Sequence, residues 1–100
     1  MNELKENIIK AMRAATIEKK EVCRSKNIDF YGLYFRTILE YLAKIDSKYD
    51  LSQKSLADKI KSFFSRRKIK KMIEHLHKEG VVKITLNGGG FLFTLNKGYE

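Results

Sequence analysis

The sequence predicts a mainly α-helical protein that ends in a β-hairpin, which is an α+β fold class. The first observation is a lack of helix breakers, since the chain has no proline and Gly32 is its only glycine before residue 80. The second is that apolar residues recur at steps of three and four through most of the chain. The third is that Asn87 and three glycines separate two β-branched and aromatic runs near the C-terminus.

Length and charge limit the class of protein. One hundred residues suit a single domain, and 43% hydrophobic with 33% charged residues is typical of a globular chain. Lysine and arginine total 21 against 12 acids, a net charge of +9 that favours a polyanion such as nucleic acid or an anionic membrane surface.

The same composition predicts a cytoplasmic protein, in a prokaryotic, archaeal or virus-infected cell. Cys23 is the single cysteine, so an intramolecular disulfide is impossible and a reducing compartment is indicated. The longest apolar run is far shorter than the ~20 residues of a membrane span. The first ten residues lack the apolar core of a signal peptide.

The first element is a long helix over residues 2–26, rich in strong helix formers. Leu4, Ile8, Ala11 and Ala15 form a heptad-like seam. That seam predicts either packing on the rest of the domain or pairing with a second copy of the chain, so residues 1–26 are a possible dimerisation helix. The coiled-coil signal is weak because Glu18 interrupts the seam.

Two further helices are predicted before residue 62. One runs from Leu33 to about residue 48, with apolar residues at helical spacing. The other covers residues 53–61 and is capped by Ser52. In this short helix we expect Leu56, Ala57 and Ile60 to point inward.

A turn is then expected at Ser62, Phe63 and Phe64, with the two aromatic rings filling the space between helices rather than stacking on bases. Ser65 can cap the next helix, residues 65–79, and Gly80 suits the position just past its end. Its apolar stripe is Ile69, Met72, Ile73 and Leu76, and its opposite face is basic.

The C-terminal part predicts a hairpin. Residues 81–86 and 91–95 are the two strands, because both are rich in β-branched and aromatic side chains. Asn87 and the glycines 88–90 accept the positive φ angles of a tight turn.

Two helices joined by a short turn and followed by a hairpin resemble a winged helix-turn-helix of the MarR and PadR kind. The matching features, in register, are Ser52 ahead of Leu56-Ala57, then Ser65, Leu76, Gly80 and Val81-Val82. The ending Phe93 to Gly98 resembles the close of the wing, but it is one residue short and lacks a threonine. The resemblance covers residues 33–98, with the wing at 81–95, inside a single domain of residues 1–100.

The resemblance implies a recognition helix in the major groove and a wing against the backbone or minor groove. The residue chemistry agrees, because Arg pairs with guanine edges and Lys with phosphates. The predicted DNA-binding residues are Lys54, Lys61, Ser65, Arg66, Arg67, Lys68, Lys70, Lys71, Lys78 and Lys83. The chain departs from the family at the tip of the wing, which is Asn-Gly-Gly-Gly instead of arginine or lysine.

The prediction is therefore a small, homodimeric transcriptional regulator that binds double-stranded DNA. The alternative is a winged-helix module for protein–protein interaction within a larger assembly. No catalytic set or cofactor motif is present, so an enzyme is not expected. His75 and His77 are two apart on a helix and point in divergent directions, so no metal site is predicted. A membrane-surface role is disfavoured.

Overall fold

The computed structural model describes residues 3–51 and 55–100. Its helices are α1 (Glu3–Ser25), α2 (Phe35–Ile45) and α3 (Leu56–Lys78), with one 3₁₀ turn at Ser47–Tyr49. Its strands are β1 (Val82–Asn87) and β2 (Gly90–Leu95). The mainly helical α+β class with a C-terminal hairpin is confirmed, whereas Ser52 and Lys54 lie outside the described residues.

Helix α1 confirms the long N-terminal helix and settles where its seam lies. Ile8, Ala11, Met12 and Ala15 are all fully buried within the chain's own core. The seam therefore packs against the rest of the domain, which was one of its two interpretations. Any contact of α1 with a second copy has to use its outer side.

A short pairing outside the hairpin fixes α2 on the sheet. Leu33 forms a bridge with Phe93, in which each backbone N–H donates to the other residue's carbonyl at 2.8 Å. Helix α2 therefore begins at Phe35, two residues after the predicted start. Its Ile38 and Leu42 are fully buried, as the helical spacing predicted.

Helix α3 corrects the largest expectation, because residues 53–61 and 65–79 are not two helices joined by a turn. One helix of 23 residues runs through residues 62–64 without a break. Neither Gly nor Pro interrupts it, and its buried stripe continues through Ser62, Ile69, Ile73 and Leu76 at helical spacing. A single helix satisfies every backbone group that a turn would leave open.

The cap of α3 also differs from the expectation. Ser55 is the N-cap, with φ −140° and ψ 171°, and its hydroxyl accepts from the backbone N–H of Asp58 at 3.2 Å. Ser65, the predicted cap, lies in the helix interior. Gly80 does adopt the left-handed conformation just past the helix end, with φ 80°.

The core lies beneath the second half of α3 only. Ile69, Ile73 and Leu76 are at most 2% exposed and pack with α1 and the hairpin. Leu56 and Ile60, which were expected to point inward, are 75% and 54% exposed. The first half of the helix therefore contributes no apolar side chain to the core, although Ser62 is buried.

The hairpin is confirmed, with a tighter turn than the sequence indicated. Asn87 pairs with Gly90, so the turn consists of Gly88 and Gly89. The Asn87 side chain accepts from the Gly88 N–H at 2.8 Å. Val82 of β1 and Leu95 of β2 form the register pair nearest the core, and both are buried.

Candidate nucleic-acid interface

The densest charge in the chain lies on α3, in residues 59–71, which we call the basic segment. It has seven cationic side chains, and its first and last residues are lysines. No acid occurs between Asp58 and Glu74. The seven are Lys59, Lys61, Arg66, Arg67, Lys68, Lys70 and Lys71, all of them exposed.

These seven side chains have no acidic partner among the described residues. The ion pairs of that part of the chain use other cations, for example Lys5 with Glu79 and Lys48 with Glu3. Their charges therefore add without internal compensation. A surface of this kind attracts polyanions over a distance of about one Debye length, ~10 Å at moderate salt.

The continuous helix distributes the cations around three sides. At about 100° per residue, Lys59, Arg66 and Lys70 lie on one flank of α3, and Lys61 and Lys68 lie on the other. Arg67 and Lys71 lie between the flanks, on the side opposite the buried stripe. Positive charge therefore borders α3 on both flanks.

Two phenylalanines occupy the outward side of the same segment. Phe63 and Phe64 are 61% and 60% exposed, and their rings contact each other edge to face with centroids 5.6 Å apart. They do not fill the space between two helices, because no turn exists there. With Leu56, Ile60, Arg67 and Lys71 they form what we call the outer ridge of α3.

Each phenylalanine lies in its own shallow groove. The Phe63 groove has a volume of about 510 Å³, and the Phe64 groove has a volume of about 610 Å³. Arg67 borders both. The first is lined by Phe35, Lys59, Ser62, Phe63, Arg66, Arg67 and Lys70, and the second by Lys61, Phe64, Ser65, Arg67, Lys68 and Lys71.

The structure brings together most, but not all, of the predicted DNA-binding residues. Six of the ten are exposed members of the basic segment, and Ser65 is half-buried in the Phe64 groove. Lys78 is exposed but lies about 10 Å beyond Lys71 along the helix axis. Lys83 lines a different cavity, between the hairpin and Tyr31. Lys54 is outside the described residues.

One part of the predicted chemistry is wrong. The predicted helix over residues 65–79 would place Arg66 to Lys71 in its first two turns, where unpaired backbone amides attract phosphate. Residues 65–71 instead lie in the middle of α3, where backbone N–H groups are used within the helix. The attraction for an anion therefore comes from side chains alone.

The sequence interpretation missed Lys59 and the two exposed rings as site residues. The signal for Lys59 is its spacing of seven and eleven residues from Arg66 and Lys70, which places all three on one flank of an uninterrupted helix. An uninterrupted helix also places Phe63 and Phe64 on the side of α3 away from Ile69. The assumed turn hid both patterns.

The C-terminal end of α3 is held to its neighbours by a small charged cluster. Glu79 accepts from Lys5 of α1 at 2.9 Å, and this hydrogen bond holds the pKa of Glu79 below its usual range. His75 contacts the other Glu79 oxygen at 2.6 Å, and His77 Nδ1 lies 2.9 Å from the Val82 carbonyl oxygen. The C-terminal end of α3 is therefore anchored to α1 and β1.

Residues 3–51 and 55–100 hold no group of three or more His, Cys, Asp or Glu side chains placed to share a metal ion. In the same ranges, no helix is long and apolar enough to cross a membrane. Comparison with protein-family models, curated proteins and solved structures found no match.

Proposed function

We propose that this protein binds double-stranded DNA through the basic segment of α3 and acts as a small transcriptional regulator. The observation that carries the proposal is the set of seven exposed, internally unpaired cations on three sides of one helix. A helix with its side chains is about 10–12 Å wide, and the major groove of B-DNA is about 12 Å wide. Cations on both flanks would then face the phosphates of both strands.

The hairpin completes the proposed arrangement. β1 and β2 follow the DNA-contacting helix directly, in the position of the wing in winged-helix proteins. The turn of a helix-turn-helix has no counterpart at residues 62–64, so the proposal uses one long helix in place of two. The Gly88-Gly89 tip has no cationic side chain, and it would approach the backbone closely because neither glycine has a side chain.

Two copies of the chain form the proposed active species. A homodimer would present two equivalent helices to DNA half-sites about one helical turn apart. Because the inner seam of α1 is buried within the chain, we assign the dimer contact to the outer side of that helix.

Salt dependence tests the DNA proposal. For each phosphate contact, log K falls by about 0.9 per unit of log salt concentration. Substituting Arg66, Arg67, Lys70 and Lys71 with alanine should weaken duplex binding and reduce this slope by about 1.8, because Arg66 and Lys70 lie on a flank that faces phosphates. Fluorescence anisotropy with a labelled duplex at several salt concentrations measures both quantities.

The matched control removes four charges from exposed positions elsewhere, by substituting Lys19, Lys26, Lys44 and Lys97 with alanine. It lowers the net charge by the same amount, so only a loss specific to α3 supports the proposal. The proposal fails if the unmodified protein does not bind duplex DNA at low salt, or if the two variants lose equal affinity.

A second candidate function is docking on another protein. Its supporting observation is that Leu56, Ile60 and Phe63 are exposed at positions i, i+4 and i+7, the spacing of helices that bind in grooves. The charged flanks would require an acidic rim on the partner. Leu56→Ala would then abolish capture of that partner and leave DNA affinity unchanged.

A further inference from the structure

We propose that Phe63 and Phe64 recognise the C5-methyl groups of thymine in the major groove, so that the site prefers methyl-bearing base pairs. This inference rests on the proposed DNA binding and adds a sequence preference to it. The two phenyl rings are about 60% exposed although they lie in the middle of the most charged segment of the chain. A phosphate surface alone offers these rings no apolar contact.

The position of the rings selects the part of DNA that they would meet. Phe63 and Phe64 lie on the outer ridge, between flanks that carry Lys59 and Arg66 on one side and Lys61 and Lys68 on the other. If both flanks face phosphates, the ridge faces the floor of the groove. There each thymine presents a methyl group, the apolar feature that distinguishes it on the major-groove edge.

The edge-to-face contact between the two rings determines the width of the apolar surface that they present. Their centroids are 5.6 Å apart with an interplanar angle of 80°, so the pair presents a broad apolar surface. Base pairs are stacked about 3.4 Å apart, and a surface of this width spans about two neighbouring steps. Arg67, next along the ridge, would reach the base edge beyond them.

The same geometry argues against other anionic partners. A-form RNA has a deep, narrow major groove that a helix cannot enter, and its uracils lack the methyl group. Binding to an anionic membrane would bury Leu56 and Ile60 together with the rings. It would not produce a preference for thymine over uracil in DNA. Unpaired strands would place bases against ring faces, where stacking depends little on a methyl group.

A thymine-to-uracil exchange tests the inference without altering charge or base pairing. Random-sequence duplexes are used as the probe, one pool with thymine and one with deoxyuridine throughout. The unmodified protein should bind the thymine pool more tightly, by about fourfold for each methyl group buried. A pool with 5-methylcytosine in place of cytosine should bind more tightly than its unmethylated counterpart.

The Phe63→Ala/Phe64→Ala variant tests whether the two rings cause the thymine preference. It should bind both pools equally, at the weaker affinity, while keeping the salt slope because its cations remain. Leu56→Ala is the matched control, since Leu56 is exposed on the same ridge outside the basic segment, and it should retain the thymine preference.

The outcomes separate this inference from the function on which it rests. Duplex binding with equal affinity for both pools overturns methyl recognition and leaves DNA binding intact. Tighter binding to single strands, to duplex RNA or to vesicles of phosphatidylserine than to the thymine duplex also overturns it. Absence of duplex binding at low salt overturns the DNA function itself.

Discussion

At the residue scale, Gly32 links α2 to the sheet at a point where a side chain does not fit. Its φ is +140°, a conformation that L-residues rarely adopt. A Cβ placed there would lie 2.9 Å from Thr94 Oγ1 and 3.0 Å from Leu92 Cβ. Gly32 therefore allows the chain to approach β2 closely enough for Leu33 to pair with Phe93.

We expect Gly32→Ala to lower the free energy of unfolding by more than about 1 kcal/mol, because it adds strain and forces Thr94 and Leu92 apart. Gly88→Ala is the control. A Cβ at Gly88 meets nothing within 4 Å, so this variant should change stability by no more than about 0.5 kcal/mol. Urea denaturation of both variants gives the comparison, and equal stabilities would contradict the assigned role of Gly32.

Individual residues show which features of the fold could be predicted from the sequence. The buried stripe Ile69, Ile73 and Leu76 was predicted, because burial of one helix face leaves a local periodic pattern. The role of Gly32 was not, since it depends on a contact with residues some 60 positions later in the chain. A pairing across that separation leaves no local signal.

At the element scale, the continuity of α3 decides the shape of the candidate site. Ser65 was predicted to be a helix cap, but the cap geometry is found at Ser55. No glycine or proline occurs between Ser55 and Gly80, so the sequence does not mark which serine begins a helix. The sequence therefore predicted a basic helix, but it placed Arg66 to Lys71 at the start of a helix rather than in its middle.

Alanine substitutions at Ser55 and Ser65 distinguish one continuous helix from two helices joined by a turn, because in a continuous helix they change its stability in opposite directions. Ser55→Ala removes the cap and should destabilise the first turns of α3 by about 1 kcal/mol. Ser65→Ala replaces an interior serine by the better helix former and should stabilise the helix by a few tenths of a kcal/mol. Amide hydrogen exchange at Lys59 and Ile60 measures both effects.

Each variant serves as the control for the other. If residues 62–64 formed a turn in solution, Ser65→Ala would remove a cap and reduce protection of the amides after residue 65. That result would restore a two-helix arrangement, in which Phe63 and Phe64 leave the outer ridge. The exchange experiment therefore also examines the geometry behind methyl recognition.

At the scale of the whole molecule, the chain exposes more surface than its mass requires. Its accessible surface is 7128 Å², whereas a compact monomer of 11.7 kDa is expected to expose about 5,900 Å². Two groups of exposed apolar side chains concern function. The outer ridge of α3 carries Leu56, Ile60, Phe63 and Phe64, and the outer side of α1 carries Ile17.

The proposed functions use these two surfaces differently. The outer ridge of α3 is bordered by cations on both flanks, which would repel a second copy but attract DNA. The outer side of α1 has mixed charge around Ile17, because Arg13 precedes it by one turn and Glu21 follows it by one turn. If two α1 helices cross antiparallel at Ile17, Arg13 of each copy lies near Glu21 of the other.

This arrangement predicts a homodimer that one substitution disrupts. Light scattering should give a mass of twice 11.7 kDa for the unmodified protein. Ile17→Glu should give the monomer mass, because a two-fold interface brings the two new carboxylates together and removes two apolar contacts. Leu86→Glu alters an equally exposed apolar residue on the hairpin, and this control should remain a dimer. A monomer mass for the unmodified protein at high concentration would refute the dimer and, with it, the expectation of paired half-sites on DNA.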